Sequence, residues 1–305
     1  MATTATTTLP VYVVDAFSAT SFAGNPAAVI LISSDQEKDL TDDLLQSTAA
    51  EMNLSETAFI YGTSSAKSFE MENHFRLRWF TPQCEVALCG HATLASAAVL
   101  FNELGNESRE IAFETLSGSL PTRRHEENGI KMEFPLNRPE KFAGSGLDNL
   151  ARAVVESRRV QDIYYSPTTK KVLIRLDDKE TKESLESLDP NPMQLMISCQ
   201  GVDVKGVIVT LIGCSRCERA ADGSENYDFI SRYFAPWVGI NEDPVTGSAH
   251  TVLAPYWSET FGGVKSLKAR QCSRRGGDLE LVLRDDGRVD IIGKATTVLK
   301  GKIHL

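Results

Sequence analysis

Arg78-Trp79-Phe80-Thr81-Pro82 and Arg232-Tyr233-Phe234-Ala235-Pro236 decide how this chain is read, because they are one pattern written twice, 154 residues apart in a chain of 305. Each copy is followed by a polar loop, a glycine and an apolar segment that ends in a second glycine, Gly90 to Gly105 in one and Gly247 to Gly262 in the other, 15 residues each time. Upstream, Ser55-Glu56-Thr57-Ala58-Phe59-Ile60-Tyr61-Gly62 stands at nearly the same offset from Gly206-Val207-Ile208-Val209-Thr210-Leu211-Ile212-Gly213, and both read as strands closed by glycine. An offset of half the chain length is the mark of an internal duplication.

The hydrophobic pattern gives each copy the same composition of elements. β-branched and aromatic runs predict strands at 11–17, 27–32, 57–61, 75–80, 111–114 and 130–134 in the first half. In the second half they predict strands at 162–165, 172–176, 207–212, 229–234, 279–283 and 289–292. Residues 39–51 read as a surface helix, with Leu40, Leu44 and Leu45 on one face. The segments 91–104 and 248–261 are apolar on nearly every face, which predicts helices enclosed by sheet. The expected fold is therefore α+β, two pseudo-symmetric lobes, each a curved and mostly antiparallel sheet wrapped around a central helix. The first lobe is expected at 1–139 and the second at 140–295, with a linker at 137–146 and the tail 296–305 available to complete the first lobe.

Composition limits the partners. With 32 Lys and Arg against 41 Asp and Glu, the formal net charge is −9, so broad attraction to nucleic acid or to an anionic membrane is not expected. No apolar run approaches the roughly 18 residues of a membrane span. The opening Met-Ala-Thr-Thr-Ala-Thr-Thr-Thr has neither a secretory pattern nor the arginines of a transit peptide, and the expectation is a cytoplasmic protein with reduced thiols. Cys214 and Cys217 have redox or half-zinc spacing but no second pair, and read as structural thiols. Gly144-Ser145-Gly146 reads as a flexible linker, since no Lys-Ser/Thr follows it.

Chemistry concentrates at the two helix starts, Cys89-Gly90-His91-Ala92-Thr93 and Val245-Thr246-Gly247-Ser248-Ala249-His250. A helix start presents unpaired N–H groups and partial positive charge, so it holds a carboxylate or phosphate without a basic side chain. Two lobes that faced each other would aim both starts, Gly90-His91 and Gly247-Ser248, at one small anionic ligand. The acid–base candidates nearby are Glu56, Glu85, His91, Glu242, Asp243 and His250. Glu56 opens an apolar strand, where partial burial would lift its pKa from about 4.3 toward the roughly 6–7 that suits proton transfer.

Taken in order, four blocks of the chain resemble the PhzF-like (phenazine biosynthesis-like) isomerase family, whose fold is similar to diaminopimelate epimerase. They are Asp15-Ala16-Phe17 with Phe22-Ala23-Gly24-Asn25-Pro26-Ala27-Ala28-Val29, then Asn53-Leu54-Ser55-Glu56-Thr57-Ala58-Phe59, then Arg78 to Pro82 leading to Leu88-Cys89-Gly90-His91-Ala92-Thr93-Leu94, and Glu242 to His250. The resemblance implies an active site between two lobes, a homodimer, no cofactor and no metal. It also implies a catalytic set of Glu56, His91, Asp243 and Ser248, with Glu56 moving a proton between carbons of a small acid. The related epimerases use two cysteines, one per lobe; here Cys89 has no cysteine partner near Asp243 and Ser248. The expected function is cofactor-independent isomerisation, with an amino-acid racemase or epimerase, or a binding protein without chemistry, as the alternatives.

Overall fold

A computed structural model describes residues 7–63, 67–199, 201–213 and 226–305. Cys214 and Cys217 lie outside them. The chain divides into two compact units, the first running to Glu133 and joined by Ile292–Leu305, the second Phe134–Ile291.

The first unit holds strands β1 (Thr8–Ala16), β2 (Asn25–Ile32), β3 (Glu56–Tyr61), β4 (His74–Phe80), β5 (Glu85–Val86), β6 (Glu110–Thr115), β7 (Gly118–Arg124) and β8 (Ile130–Pro135). Strand β1 pairs antiparallel with β2, β2 parallel with β3, β3 antiparallel with β4, and β4 parallel with β6. Antiparallel pairs β6–β7 and β7–β8 follow. The C-terminal strand Ala295–His304 lies antiparallel to β1 along its whole length, from Thr8 opposite His304 to Ala16 opposite Ala295. Among the described residues, the α-helices that accompany the sheet are α1 (Ser34–Glu37), α2 (Asp42–Met52), α3 (Ser68–Met71) and α4 (Gly90–Ala98). Helix α2 begins where the Thr41 hydroxyl accepts the Leu44 N–H at 3.3 Å and ends where Asn53 turns left-handed at φ 49°. In α4 every residue from His91 to Ala98 is buried, and the helix packs on β1, β2 and β3. That packing is why its sequence is apolar all round. The chain then widens into a π-helical stretch, Val99–Glu103.

The second unit repeats the plan. Its strands are β9 (Glu140–Lys141), β10 (Val160–Ser166), β11 (Lys171–Leu176), β12 (Gly206–Ile212), β13 (Phe229–Phe234), β14 (Ser266–Gln271), β15 (Gly277–Leu283) and β16 (Arg288–Gly293). From β10 to β15 successive pairs run antiparallel, parallel, antiparallel, parallel and antiparallel, the same sequence of senses as β1, β2, β3, β4, β6 and β7. Helices α5 (Asp148–Val155), α6 (Lys182–Glu186) and α7 (Pro192–Ser198) precede α8 (Gly247–Thr260), which is buried from Ala249 to Ser258 and packs on β14 and β15.

Side chains repeat as well as strands. The Arg78 guanidinium forks onto Glu85 at 2.7 and 2.9 Å, and Arg232 forks onto Glu242 at 2.7 and 2.8 Å. Each guanidinium also lies 5.0 Å from the ring of the phenylalanine two residues on, Phe80 or Phe234. Thr57 stands opposite Phe80, and Val207 opposite Phe234. This register makes Gly206 the counterpart of Glu56, and Lys171 the counterpart of Ala27.

Residues 137–146 are not a bare linker. Glu140–Lys141 pairs with β10, and Ser145–Leu147 forms a 3₁₀ turn, so the Gly144-Ser145-Gly146 run enters an element. Strands β7 and β14 were hidden in the pattern: β7 contains Pro121, and β14 exposes Ser266 and Lys268 on its outer face.

Candidate active site

Glu56 is the first residue of β3. It is 9% exposed, and His91, on the first turn of α4, is 6% exposed. Glu56 Oε2 lies 3.2 Å from His91 Nε2 but off the line of a hydrogen bond, and makes none. The same Nε2 lies 3.2 Å from Ser55 Oγ, while Nδ1 lies 3.4 Å from Cys89 Sγ. The imidazole thus connects a carboxyl and a hydroxyl on one side with a thiol on the other. Burial pushes the Glu56 carboxyl above its ordinary pKa, and contacts with Ser55 and Cys89 oppose that push.

The loop before β2 supports this cluster. Ser55 Oγ lies 3.2 Å from the Pro26 carbonyl and 3.3 Å from Asn25 Oδ1, and Asn25 is fully buried. The loop is held by Asp15, whose carboxylate accepts the Phe22 N–H at 2.7 Å, and by Gly24 at φ +69°. A Cβ at Gly24 would stand 2.2 Å from the Ala16 carbonyl oxygen, so no side chain fits there.

Glu56, Cys89 and His91 also place one donor atom each within 4.8 Å of the others, three of the four ligands of a zinc-type site. Each ring nitrogen of His91 has a close neighbour, Ser55 Oγ at Nε2 and Cys89 Sγ at Nδ1.

In the second unit the loop before α8 is fixed by Gln271 of β14. Its amide donates to the Asp243 carbonyl at 2.6 Å and accepts the Thr246 N–H at 2.9 Å. Asp243 is 8% exposed and its Oδ2 accepts the Thr246 hydroxyl at 2.5 Å. Thr246 is the N-cap of α8 as Cys89 is of α4, and neither helix start is capped by a side chain. The duplication therefore puts a threonine where a two-thiol epimerase would need its second cysteine. Gly247 is buried and Ser248 exposed.

His250 belongs elsewhere. It is fully buried, stacked on Phe229, with Nδ1 2.8 Å from the Thr246 carbonyl. Burial lowers its pKa to about 4, so it is a neutral core group and no acid–base catalyst. Glu85 and Glu242 are likewise accounted for as partners of the two duplicated arginines. Gln271 gave no sequence signal, and Asn25 and Thr246 stood inside recognised blocks without being singled out. Strand register and helix-start equivalence show what they do.

The phenazine biosynthesis-like family model, PhzC-PhzF, matches residues 14–301, and the chain belongs to that family. The mouse phenazine biosynthesis-like domain-containing protein 1 is 50% identical over 297 residues, 97% of this chain and 99% of the relative. An uncharacterized isomerase of Pseudomonas aeruginosa is 42% identical over 299 residues, again covering 97% and 99%. A PhzF-family phenazine biosynthesis protein of Enterococcus faecalis superposes with a TM-score of 0.81 at 36% identity, covering 98% of this chain and all of that one. A hydroxyproline epimerase of Agrobacterium vitis shares the fold alone, at a TM-score of 0.53 and 12% identity. The chain is thus an α+β protein of the epimerase-like fold and an isomerase-type enzyme.

Proposed function

We propose that the chain is a cofactor-independent isomerase that moves a proton between carbons of a small carboxylate-bearing substrate, with Glu56 as the acid and base. The observation that carries this reading is the buried carboxyl of Glu56, its pKa raised by desolvation, beside His91, Ser55 and Cys89. A carboxyl whose pKa is lifted toward neutrality can both take and return a proton without a large penalty in either direction. His91 takes the supporting role, orienting the carboxyl and relaying charge toward Cys89. Asp243 and Ser248 are proposed to assist the chemistry, and the helix starts at Gly90-His91 of α4 and Gly247-Ser248 of α8 are each proposed to bind an anionic group.

The single-carboxylate reading is favoured over a two-thiol epimerase because Thr246 stands at the position equivalent to Cys89. A hydroxyl is far too weak an acid to replace a thiol in that role. The test is a survey of small unsaturated and α-chiral acids in D₂O, each beside its neutral amide. The reading expects deuterium to appear at carbon in an acid and not in its amide. Equal labelling of acid and amide would remove the carboxylate from the substrate definition.

A further inference from the structure

Lys171 opens β11 opposite Gly206, in the register that Ala27 and Glu56 occupy in the first unit. It is 8% exposed, yet among the described residues no hydrogen bond or ion pair reaches its ammonium. Its surroundings are the Tyr233 ring, whose centroid is 5.7 Å from Nζ, and the charge of Asp243. Tyr233 is 7% exposed and lies across Gly206: a Cβ at Gly206 would stand 2.1 Å from its hydroxyl oxygen. The Tyr233 hydroxyl also has no hydrogen-bond partner among the described residues. Where the first unit carries a buried acid, the second therefore carries two largely buried side chains that end in donors, and a glycine makes room for one of them.

The stems of both side chains are buried, but neither the ammonium nor the phenol hydroxyl is among the sealed, unpartnered polar atoms, so both tips remain open to a ligand. A carboxylate could supply one oxygen to each, in the charge-assisted geometry that is strongest where little water competes. Asp243, the charged neighbour, has Oδ2 occupied by Thr246, and its main-chain N–H donates to the Tyr233 carbonyl at 3.1 Å. The aspartate loop and the lysine are thus held on the same residue, Tyr233.

We propose that Lys171 and the Tyr233 hydroxyl are the second unit's carboxylate-binding pair. The proposal deepens the isomerase reading and rests on it, in that it gives the second unit a group suited to the acid function of a carboxylate-bearing substrate. Its electrostatic consequence is measurable without turnover. Burial lowers the Lys171 pKa to about 8, with Asp243 opposing. The titratable groups facing it are Asp243 and Tyr233, the latter pushed well above its ordinary value by burial; Ser166 of β10 and Gly206 of β12, opposite Lys171, do not titrate. A bound carboxylate favours the ammonium, so it raises the pKa again.

The experiment uses the full chain labelled with ¹³Cε-lysine, the Lys171 resonance being assigned by its loss in Lys171→Met. Sodium benzoate is the probe and benzamide its neutral control. Benzoate is expected to move the Lys171 titration midpoint upward by about one unit or more, and benzamide to leave it in place. Lys171→Met is expected to weaken benzoate binding by about tenfold or more. A midpoint unchanged by benzoate, equal benzoate affinity in Lys171→Met, or no benzoate binding to the wild type would each overturn the proposal. The wild-type titration stands even if the variant folds poorly. Glu56→Gln separates the two readings: it should keep the benzoate response of Lys171 whether or not it keeps turnover.

Discussion

Arg232 and Arg78 are the same residue of the duplicated plan, but they should not carry the same energy. Arg232 makes five hydrogen bonds: two to Glu242, and three from Nη1 to the carbonyls of Leu185, Glu186 and Leu188 at 3.2, 2.9 and 2.5 Å. Its side chain is 8% exposed, and it gathers carbonyls of the last turn of α6, Leu185 and Glu186, together with that of Leu188 just beyond it. Arg78 bonds Glu85 and Asp42, with its side chain 20% and that of Asp42 76% exposed. Replacing a buried, fully bonded cation by Met strands its partners, and such losses run about 3–5 kcal/mol; a partly exposed pair is worth about 1 kcal/mol or less. Arg232→Met should therefore destabilise the second unit by about 3–5 kcal/mol, and Arg78→Met the first unit by about 1–2 kcal/mol. Urea unfolding followed by amide exchange reads each unit separately, through β13 for one and β4 for the other. Equal losses, or a larger loss at Arg78, would refute the assignment of Arg232 as the buried tie between β13 and the end of α6.

Three further outcomes follow from burial and close contact. His250 has its pKa lowered from 6.5 to about 4, so the unfolded chain binds more protons between those values and stability falls with acid across that window; His250→Gln should flatten the fall, worth up to about 3 kcal/mol, in thermal melts at pH 4 and 7. Glu56 has the opposite sign. Its raised pKa lets the folded state hold the extra proton, so its contribution is fully present below the unfolded value and is lost as pH rises through the folded one; Glu56→Gln should melt higher than wild type at pH 8 and gain little at pH 4, and a melt lowered at pH 8 would contradict a desolvated carboxylate. Gly206→Ala would drive a Cβ to 2.1 Å from the Tyr233 hydroxyl oxygen and should cost about 1–3 kcal/mol, read as a lowered melting temperature.

Most of the architecture was legible because a duplication leaves a fixed offset. The Arg-aromatic-Phe pattern located β4 and β13, and equal glycine spacing located α4 and α8 within a residue or so of their starts. Strands without strong alternation escaped. Strand β7 hides a proline, and β14 is read as polar from its exposed face although it carries Gln271 into the core. In the site, Glu56 and His91 stood out by their neighbours in sequence, and the structure brings them together at 3.2 Å. Lys171 did not stand out. It is one of two adjacent lysines, and only the pairing of β11 with β12 shows that it shares the register of Glu56's strand partner. His250 shows the converse: a histidine one turn into a helix near an acidic loop is an acid–base candidate by sequence, and its burial against Phe229 removes it.

The central claim is that Glu56, and not Cys89, carries the proton, and the most direct measurement compares deuterium wash-in from D₂O by Glu56→Gln and Cys89→Ser on the first acid found to exchange. Gln keeps the volume and hydrogen-bonding reach of Glu but cannot accept and return a proton, so wash-in should fall by about 10²–10⁴-fold. Ser at position 89 keeps a polar contact for His91 Nδ1, now 3.4 Å from the sulfur, and wash-in should stay within about tenfold of wild type. Near wild-type exchange in Glu56→Gln together with its loss in Cys89→Ser would contradict the account and make the thiol the acid–base group.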